Sequence, residues 1–421
     1  MHSKILWLFL TTCLLKGFIA QAQSEDTLRI TLPLLEDRFV KSNLQLLVQR
    51  YNIDRTIAGE ITAKMFANPN FTFTNGLYSK TRDTNALTQQ TYGVSQLIQT
   101  AGKRNKNIQL AKISTENAWN EFYDLMRTLR YGLRSAFYSL YFKQQSLILY
   151  NEEISALKKT LAAFQQIYQK GNMSKKEVLR VQSLLYSLQS EKTALELQTN
   201  DLEVELRTLG QFHGNIYLQA RTLDIPFKNI QLQRTNYPQL LDSAVANRHD
   251  LKIVKANITY AATNLKLQNA MKYPDINFSL NYDKKAGYGL GYISGGVAFE
   301  LPFFKRNQGN IRLARVQLEQ NKTQLNVEQN KLENEVSGSY KELLKLDGLY
   351  HSIDSTFTSD FSEIIQGAHE NFEKRNIGLL EFMDLYDSYK IHVLQMNDLM
   401  YQRINALEKI NFVTGTEIFH P

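Results

Sequence analysis

Proline is missing from two long stretches of this chain. Its seven prolines stand at 33, 69, 226, 238, 274, 302 and 421, which leaves 70–225 and 303–420 without one. Proline removes a backbone donor and clashes with the preceding helical turn, so ordinary domains use it at turns and keep it out of helix interiors. Two proline-free stretches of this length predict very long helices. The single cysteine excludes a disulfide framework and a cysteine-based metal site, and 43% hydrophobic residues exclude a disordered polyelectrolyte.

Residues 1–22 read as an export leader. Lys4 opens a short positive region, Ile5 to Ile19 are mostly apolar, and Ala20-Gln21-Ala22 is an A-x-A cleavage site, so the exported chain would begin at Gln23. The alternative is a lipoprotein acylated on Cys13, but Thr12 stands where a small residue should precede the acylated cysteine. Loss of Lys4 and Lys16 with the leader leaves 47 Lys and Arg against 41 Asp and Glu, a mild +6. No basic stripe of the kind that grips nucleic acid is visible. No later segment offers about 20 apolar residues in a row, which a spanning helix needs. The exported chain is therefore either soluble outside the inner membrane or enters an outer membrane through β-strands.

The chain also resembles itself at a nearly constant offset. Ala67-Asn68-Pro69-Asn70-Phe71 matches Lys272-Tyr273-Pro274-Asp275-Ile276, Lys103-Arg104-Asn105 matches Lys305-Arg306-Asn307, Tyr168 through Met173 matches Phe372 through Ile377, and Leu209-Gly210 matches Thr414-Gly415. Such ordered matches predict a duplicated unit. The boundaries expected from them are a first repeat at 23–210, a linker at 211–238, a second repeat at 239–415 and a tail at 416–421. Each repeat reads as a leading helix, two strands and a hairpin of two long helices.

The long helices carry a heptad signal. Leu147, Tyr150, Ile154, Leu157, Leu161, Phe164 and Tyr168 alternate steps of three and four, as do Phe382, Leu385, Tyr389, His392, Met396, Leu399, Arg403, Ala406, Ile410 and Val413. The first helix of each hairpin is expected over about 103–168 and 305–372. At 1.5 Å per residue each would be on the order of 100 Å long, too long for one compact core, so the helices must lie together in an elongated bundle. Gly171 and Gly378 are expected to stop helices at the two hairpin tips.

Between leading helix and hairpin the period changes to two. Ile276, Phe278, Leu280 and Tyr282 share one face and Asp275, Asn277, Ser279, Asn281 and Asp283 the other; Tyr288 to Leu301 is rich in Gly and aromatics. In the first repeat Phe71 and Phe73 alternate with Asn70, Thr72 and Thr74, and a second run covers Thr91 to Ile98. Strands of about ten residues with one apolar and one polar face suit a membrane barrel wall. A soluble sheet would need an apolar cover, and the helices are already committed to each other. Tyr78, Tyr92, Tyr273, Tyr282, Tyr288 and Tyr292 cluster as an aromatic girdle would. Four strands cannot close a barrel of at least about eight, so several chains must share one; three would give twelve strands and an open passage.

At this point the chain resembles the TolC-like outer membrane efflux proteins, from about residue 28 to 415. The resemblance rests on the repeat, the strand pairs, the tips, Asn247-Arg248-His249-Asp250-Leu251, Tyr273-Pro274-Asp275 and Phe372 through Asp384. Its short length is similar to that of the heavy-metal efflux branch. The resemblance implies a mainly α fold with membrane β: a homotrimer whose shared 12-stranded β-barrel lies in outer-membrane lipid above a trimeric α-barrel tunnel. The tunnel would meet a periplasmic adaptor and an inner-membrane pump. It further implies that Glu381 and Asp384, with Glu177 as first-repeat counterpart, line a pore constriction, although Arg180 stands where a counterpart of Asp384 would. The other reading of these carboxylates is as solvated helix-start acids favoured by the helix dipole. By the same resemblance, Gly171, Asn172 and Met173 and Arg375, Asn376, Ile377 and Gly378 form the adaptor-docking tips.

Enzyme chemistry has no foothold in the residues. The seven histidines show no i, i+4 pair and no neighbouring cysteine, so neither metal nor cofactor is expected. The glycines at 287, 289, 291, 295 and 296 lack the Gly-Lys-Ser/Thr of a phosphate loop and suit barrel strands. The competing function from another class is a periplasmic coiled-coil adaptor, which would carry one hairpin and soluble β-domains instead of two hairpins and lipid-type strands.

Overall fold

The computed structural model describes residues 26–77, 90–222, 236–286, 289–353, 356–374 and 376–420. The expected leader with Cys13, Tyr78, Tyr288, Gly287 and Arg375 lie outside these residues, as does part of the expected linker. The first repeat comprises β1 (Asp26–Ile30), α1 (Leu32–Ser42), α2 (Leu44–Lys64), β2 (Asn70–Asn75), β3 (Gln90–Ile98), α3 (Lys103–Gln169) and α4 (Lys175–Gly210), followed by β4 (Ile216–Ala220). The second comprises α5 (Tyr237–Asn247), α6 (His249–Ala270), β5 (Ile276–Ala286), β6 (Gly289–Phe299), α7 (Gln308–Ser352), α8 (Phe357–Glu373) and α9 (Leu379–Thr414). Helices α1, α2 and α3 begin 205 residues before α5, α6 and α7 respectively, so the duplication extends to the helix starts. Backbone conformation repeats too. Gly102 (φ 66°) and Asn307 (φ 58°), one offset apart, both take left-handed angles just before the first long helix of their repeat.

Three expectations need correction. The long helix expected over 305–372 is two helices, α7 and α8. Ile353 is extended at the end of α7, and Ser352 Oγ donates to Leu349 O at 2.7 Å, a side-chain bond to the backbone that competes with the helix. Each leading helix is likewise broken, at Asn43 and Arg248. The Asn43 side chain accepts from Gln45 N and Leu46 N at 3.0 and 3.1 Å, capping a new helix inside the apolar pattern. Finally, the expected linker contains a strand, β4, which pairs in parallel with β1.

By its contacts the chain forms two compact units, each drawing on both repeats. The first takes Met1–Lys41, Ser135–Ile225 and Ser355–Tyr401. Its core is the expected seam. Tyr150, Ile154, Leu157 and Phe164 of α3 pack with Val178, Val181, Leu185 and Leu188 of α4 and with Phe372 of α8 and Phe382 and Tyr386 of α9. Phe372 and Phe382 stack at 4.4 Å between ring centres. Tyr168, placed on the same seam, is exposed instead. The β1–β4 pair is held by Gln144, whose amide donates to Leu218 O at 2.7 Å and accepts from Ala220 N at 3.0 Å.

The second unit takes Ser42–Arg134, Pro226–Asp354 and Gln402–Pro421. It contains a four-stranded antiparallel sheet in the order β2-β3-β5-β6, so the strand pair of one repeat joins that of the other through β3 and β5. Polar Arg403 on the second seam is buried with a partner. Its Nε lies 2.7 Å from Asp347 and its guanidinium 4.5 Å over Tyr350. Arg134 reaches Glu408 and Glu417, each at 3.0 Å. Gly415 (φ 71°) closes α9 against Arg248, whose backbone nitrogen a β-carbon there would meet at 3.2 Å.

Candidate functional site

The strand registers sort every side chain of the sheet to one of two faces. Phe73, Tyr92, Tyr282 and Ile293 form one row across the four strands, Phe71, Val94, Leu280 and Gly295 the next, and Ile98, Ile276 and Phe299 close the same face. Phe71, Leu280, Ile293 and Val297 on it are 59–65% exposed, so none of the described residues covers them. An uncovered apolar sheet face of this kind is unstable against water and stable against lipid. Phe73 and Tyr92 lie 5.1 Å apart and Tyr92 and Tyr282 6.3 Å apart, so the girdle expected from the tyrosines includes an aromatic row across three strands. The other face carries Thr72, Gly93, Asn281 and Ser294 in one row and Asn70, Ser95, Ser279 and Gly296 in another. Gly93 is required there: a β-carbon would sit 2.4 Å from Thr72 Oγ1 and 2.6 Å from Asn281 Oδ1. Gln96 and Leu97 break the pattern, and the Gln96 amide leaves the apolar face to donate to Ala67 O at 2.8 Å.

Helices and strands are fastened where they meet. Lys103 Nζ, at the start of α3, lies 2.8 Å from Asp275 Oδ1 and donates to Tyr273 O at 2.6 Å, while Thr100 N donates to the same carboxylate oxygen at 2.9 Å. Asp275 of the Tyr-Pro-Asp phrase thus ties the two repeats together at the sheet's foot.

In the first unit, the tip after α3 is a left-handed helix stop. Gly171 has φ 76°, Asn172 N donates to Ile167 O at 3.1 Å and Gly171 N to Tyr168 O at 2.9 Å. Helix α4 then starts with a capping box in which Ser174 and Glu177 bond each other reciprocally; Glu177 Oε2 accepts from Ser174 N at 3.1 Å and Oγ at 2.8 Å. The Glu177 carboxylate is therefore engaged within its own helix start. At the second tip Asn376 N donates to Asn371 O at 2.8 Å, the same pattern. Gly378 does not stop a helix as expected. It lacks a positive φ, and its carbonyl accepts from Phe382 N at 3.0 Å as the first bond of α9. Glu381 and Asp384 share an exposed side of α9, opposite buried Phe382 and Tyr386, and form no ion pair among the described residues.

One group of the first unit has no signature in local sequence. Glu153 of α3 is 6% exposed, and among the described residues neither its carboxylate oxygens nor the Tyr386 hydroxyl has a partner at hydrogen-bonding geometry. Burial pushes the Glu153 carboxyl up to about 7, with nearby Tyr386 and Lys390 offsetting part of the effect. Lys390 is committed elsewhere, 3.1 Å from Glu191 and 3.4 Å from Asp387. Burial alone would raise Glu191, but Lys390 with the Tyr150 and Ser187 hydroxyls outweighs it and holds that carboxyl below its ordinary value. Beside Glu153 and Tyr386 lies a cavity of about 460 Å³ lined also by Leu149, Phe382 and Tyr389.

Comparison with known proteins agrees with this geometry. The family model for outer membrane efflux protein matches residues 37–210 and 240–355. No curated protein matches the chain by sequence alone. Among solved structures, the Campylobacter jejuni CmeC outer membrane channel is similar, with a TM-score of 0.74 at 12% identity over 92% of this chain and 86% of that one. The Vibrio cholerae outer membrane protein VceC gives 0.71 at 14% identity over 91% and 96%. The open-state Neisseria gonorrhoeae MtrE outer membrane channel gives 0.71 at 14% identity over 92% and 89%. At such identities the likeness speaks for the fold alone.

Proposed function

Since this chain belongs to the outer membrane efflux protein family, we propose that it is the passive exit duct of a tripartite efflux or type I secretion system. Family membership places it in the outer membrane and sets the periplasmic adaptor reading aside. The sheet is the observation that carries the proposal. Four strands with a bare apolar face and two unpaired edges, β2 and β6, cannot stand alone in lipid. Edge-to-edge pairing of three copies removes the edges and gives a 12-stranded barrel, with the polar face of Thr, Asn and Ser turned to the lumen.

Such a duct has no energy source of its own, so an inner-membrane pump drives it through a periplasmic adaptor that docks on the tips around Gly171–Met173 and Asn376–Gly378. Small molecules or metal ions are the cargo, selected by the pump. Glu381 and Asp384 repeat three times around the axis and favour cations at the constriction. Glu177 contributes less, because its capping box holds the carboxylate. A trimer that resists heating in the membrane fraction and conducts ions in planar bilayers is the expected result; a soluble monomer would sink the proposal. Substituting Glu381→Gln with Asp384→Asn should lower cation selectivity, and unchanged selectivity would remove both residues from the constriction.

A further inference from the structure

Within the first unit, the cavity beside Glu153 has the walls and the charge of a ligand site. It lies between α3, α8 and α9, and its volume of about 460 Å³ suits a small organic molecule. Phe382, Tyr386 and Tyr389 give it aromatic wall, and Leu149, Ala156 and Leu157 give it aliphatic wall. Every charged side chain in its described lining is acidic: Glu152 and Glu370, both exposed, and Glu153.

Glu153 sets this cavity apart from an ordinary groove between helices. It is 6% exposed and Tyr386 5%, and among the described residues neither the carboxylate oxygens nor the hydroxyl has a hydrogen-bond partner. A carboxylate buried in that state is destabilising until a cation or a donor reaches it. Lys390 offsets it only in part, being 3.1 Å from Glu191 and 3.4 Å from Asp387 and outside the cavity lining. A bare metal ion lacks ligands, since the described residues bring no three carboxylates, thiols or imidazoles together. An ammonium group on an apolar body meets every requirement: its N–H donates to the carboxylate, aromatic faces attract its charge, and the aliphatic wall covers the rest. From this geometry we propose that the cavity binds hydrophobic amines, with the Glu153 carboxylate receiving the ammonium and Phe382 and Tyr389 holding the body. Such an occupant touches α3 of the first hairpin and α8 and α9 of the second, and so ties the two hairpins together. The site belongs to the first unit alone and does not rest on the duct reading.

Binding is linked to a proton. Burial pushes the Glu153 carboxyl up to about 7, and the ammonium takes the ionised form, so that the displaced proton leaves to water. About one-eleventh of the sites are ionised at pH 6 and about ten-elevenths at pH 8, which makes the apparent affinity about tenfold higher at pH 8. The other titratable and charged groups around Glu153 are Tyr150 and Glu152 of α3, Glu191 of α4, Glu370 of α8 and Tyr386, Asp387, Tyr389 and Lys390 of α9. Burial pushes Tyr150 and Tyr386 up, and Glu191 is held below its ordinary value, so these three stay out of that window. His392 lies against Phe357 and Phe361 and does not line the cavity.

The test titrates 1-naphthylmethylamine and its neutral analogue 1-naphthalenemethanol into the purified full-length protein in a nonionic detergent, by calorimetry at pH 6 and pH 8. The parent should bind the amine about tenfold more tightly at pH 8 than at pH 6, and at pH 8 at least about tenfold more tightly than the alcohol. Glu153→Gln should lose the pH dependence and at least about tenfold of the affinity for the amine. Ala156→Leu, which fills the cavity and leaves Glu153 in place, should weaken amine and alcohol alike. Equal affinity of the parent and E153Q for the amine, equal affinity of the parent for amine and alcohol, or unimpaired binding by a folded A156L would each overturn the proposal.

Discussion

Replacing Glu153 by glutamine should abolish a pH dependence that the native chain carries. An ordinary glutamate titrates near 4.5, whereas burial pushes Glu153 up to about 7. Between these values the unfolded chain has lost the proton and the folded chain keeps it, so stability falls by about 1.4 kcal/mol per pH unit as pH rises. The contribution is complete below pH 4.5 and lost above pH 7, about 3 kcal/mol in all. Above pH 7 the folded chain holds a buried ionised carboxylate that only nearby Tyr386 and Lys390 offset in part, and Lys390 is shared with Glu191 and Asp387. Glutamine keeps the shape and cannot ionise. E153Q should therefore match the parent at pH 4.5 and be the more stable at pH 8, by up to about 3 kcal/mol less whatever the unmet amide bonds cost. Thermal midpoints of both purified trimers across this range would read the difference. His249 and His392, both held below their ordinary value chiefly by burial, titrate in the two proteins alike and cancel. Parallel profiles, or a variant weaker at pH 8, would refute the argument.

The junctions, tips and wall make separate predictions. Asp275→Asn leaves the Lys103 ammonium, 9% exposed, without its counter-charge and should cost about 3 kcal/mol; the double variant K103M/D275L should recover most of it in thermal unfolding. Gly171→Ala forces a β-carbon into left-handed backbone at a cost of about 1 kcal/mol, whereas Gly378→Ala, with no positive φ and nothing within 4 Å, should be near neutral; amide exchange at the two tips would report both. Gly93→Val should sharply lower the yield of heat-stable trimer, because its β-carbon would overlap Thr72 and Asn281, while Gly295→Val on the lipid face has open space and should not.

Legibility followed the range of the interactions. The wall strands were readable to within a few residues because alternation is local: Phe71, Phe73 and Thr72 declare their faces without reference to any partner. The seam from Leu147 to Phe164 was readable for the same reason, through heptad spacing. Breaks inside helical patterns were not. Asn43 looks like any surface polar residue until its side chain is seen capping Gln45 and Leu46, and the Ser-Ile-Asp-Ser-Thr run is too short to interrupt a heptad count. Strands β1 and β4 are five residues each, too short for a period, and lie far apart in the chain. Glu153 was invisible because burial makes it unusual, and the groups around it include Tyr386 and Lys390 of α9, more than two hundred residues away in the chain.

The two repeats agree where they build the wall and part company at the tips. Left-handed Gly102 and Asn307 and the starts of three helices 205 residues apart correspond, and each repeat contributes one antiparallel strand pair, although β2 and β3, of 6 and 9 residues, are shorter than β5 and β6, of 11 each. Along the hairpins, Arg180 stands where the second repeat has Asp384, α3 is one helix where the second repeat breaks between α7 and α8, and Glu177 caps its helix where Glu381 forms no ion pair among the described residues. Lys170, Lys175 and Lys176 stand with Glu177 around the first tip, whereas Glu370, Lys374, Arg375, Glu381 and Asp384 stand around the second in the sequence. A wall holds its strands to one register, because a slip by one residue turns every side chain to the other face. A tip under the same demand would have stayed symmetric. These differences leave the exposed Glu381 and Asp384 of α9 without an equivalent pair in the first hairpin, and that asymmetry is what the substitutions proposed at the two positions test.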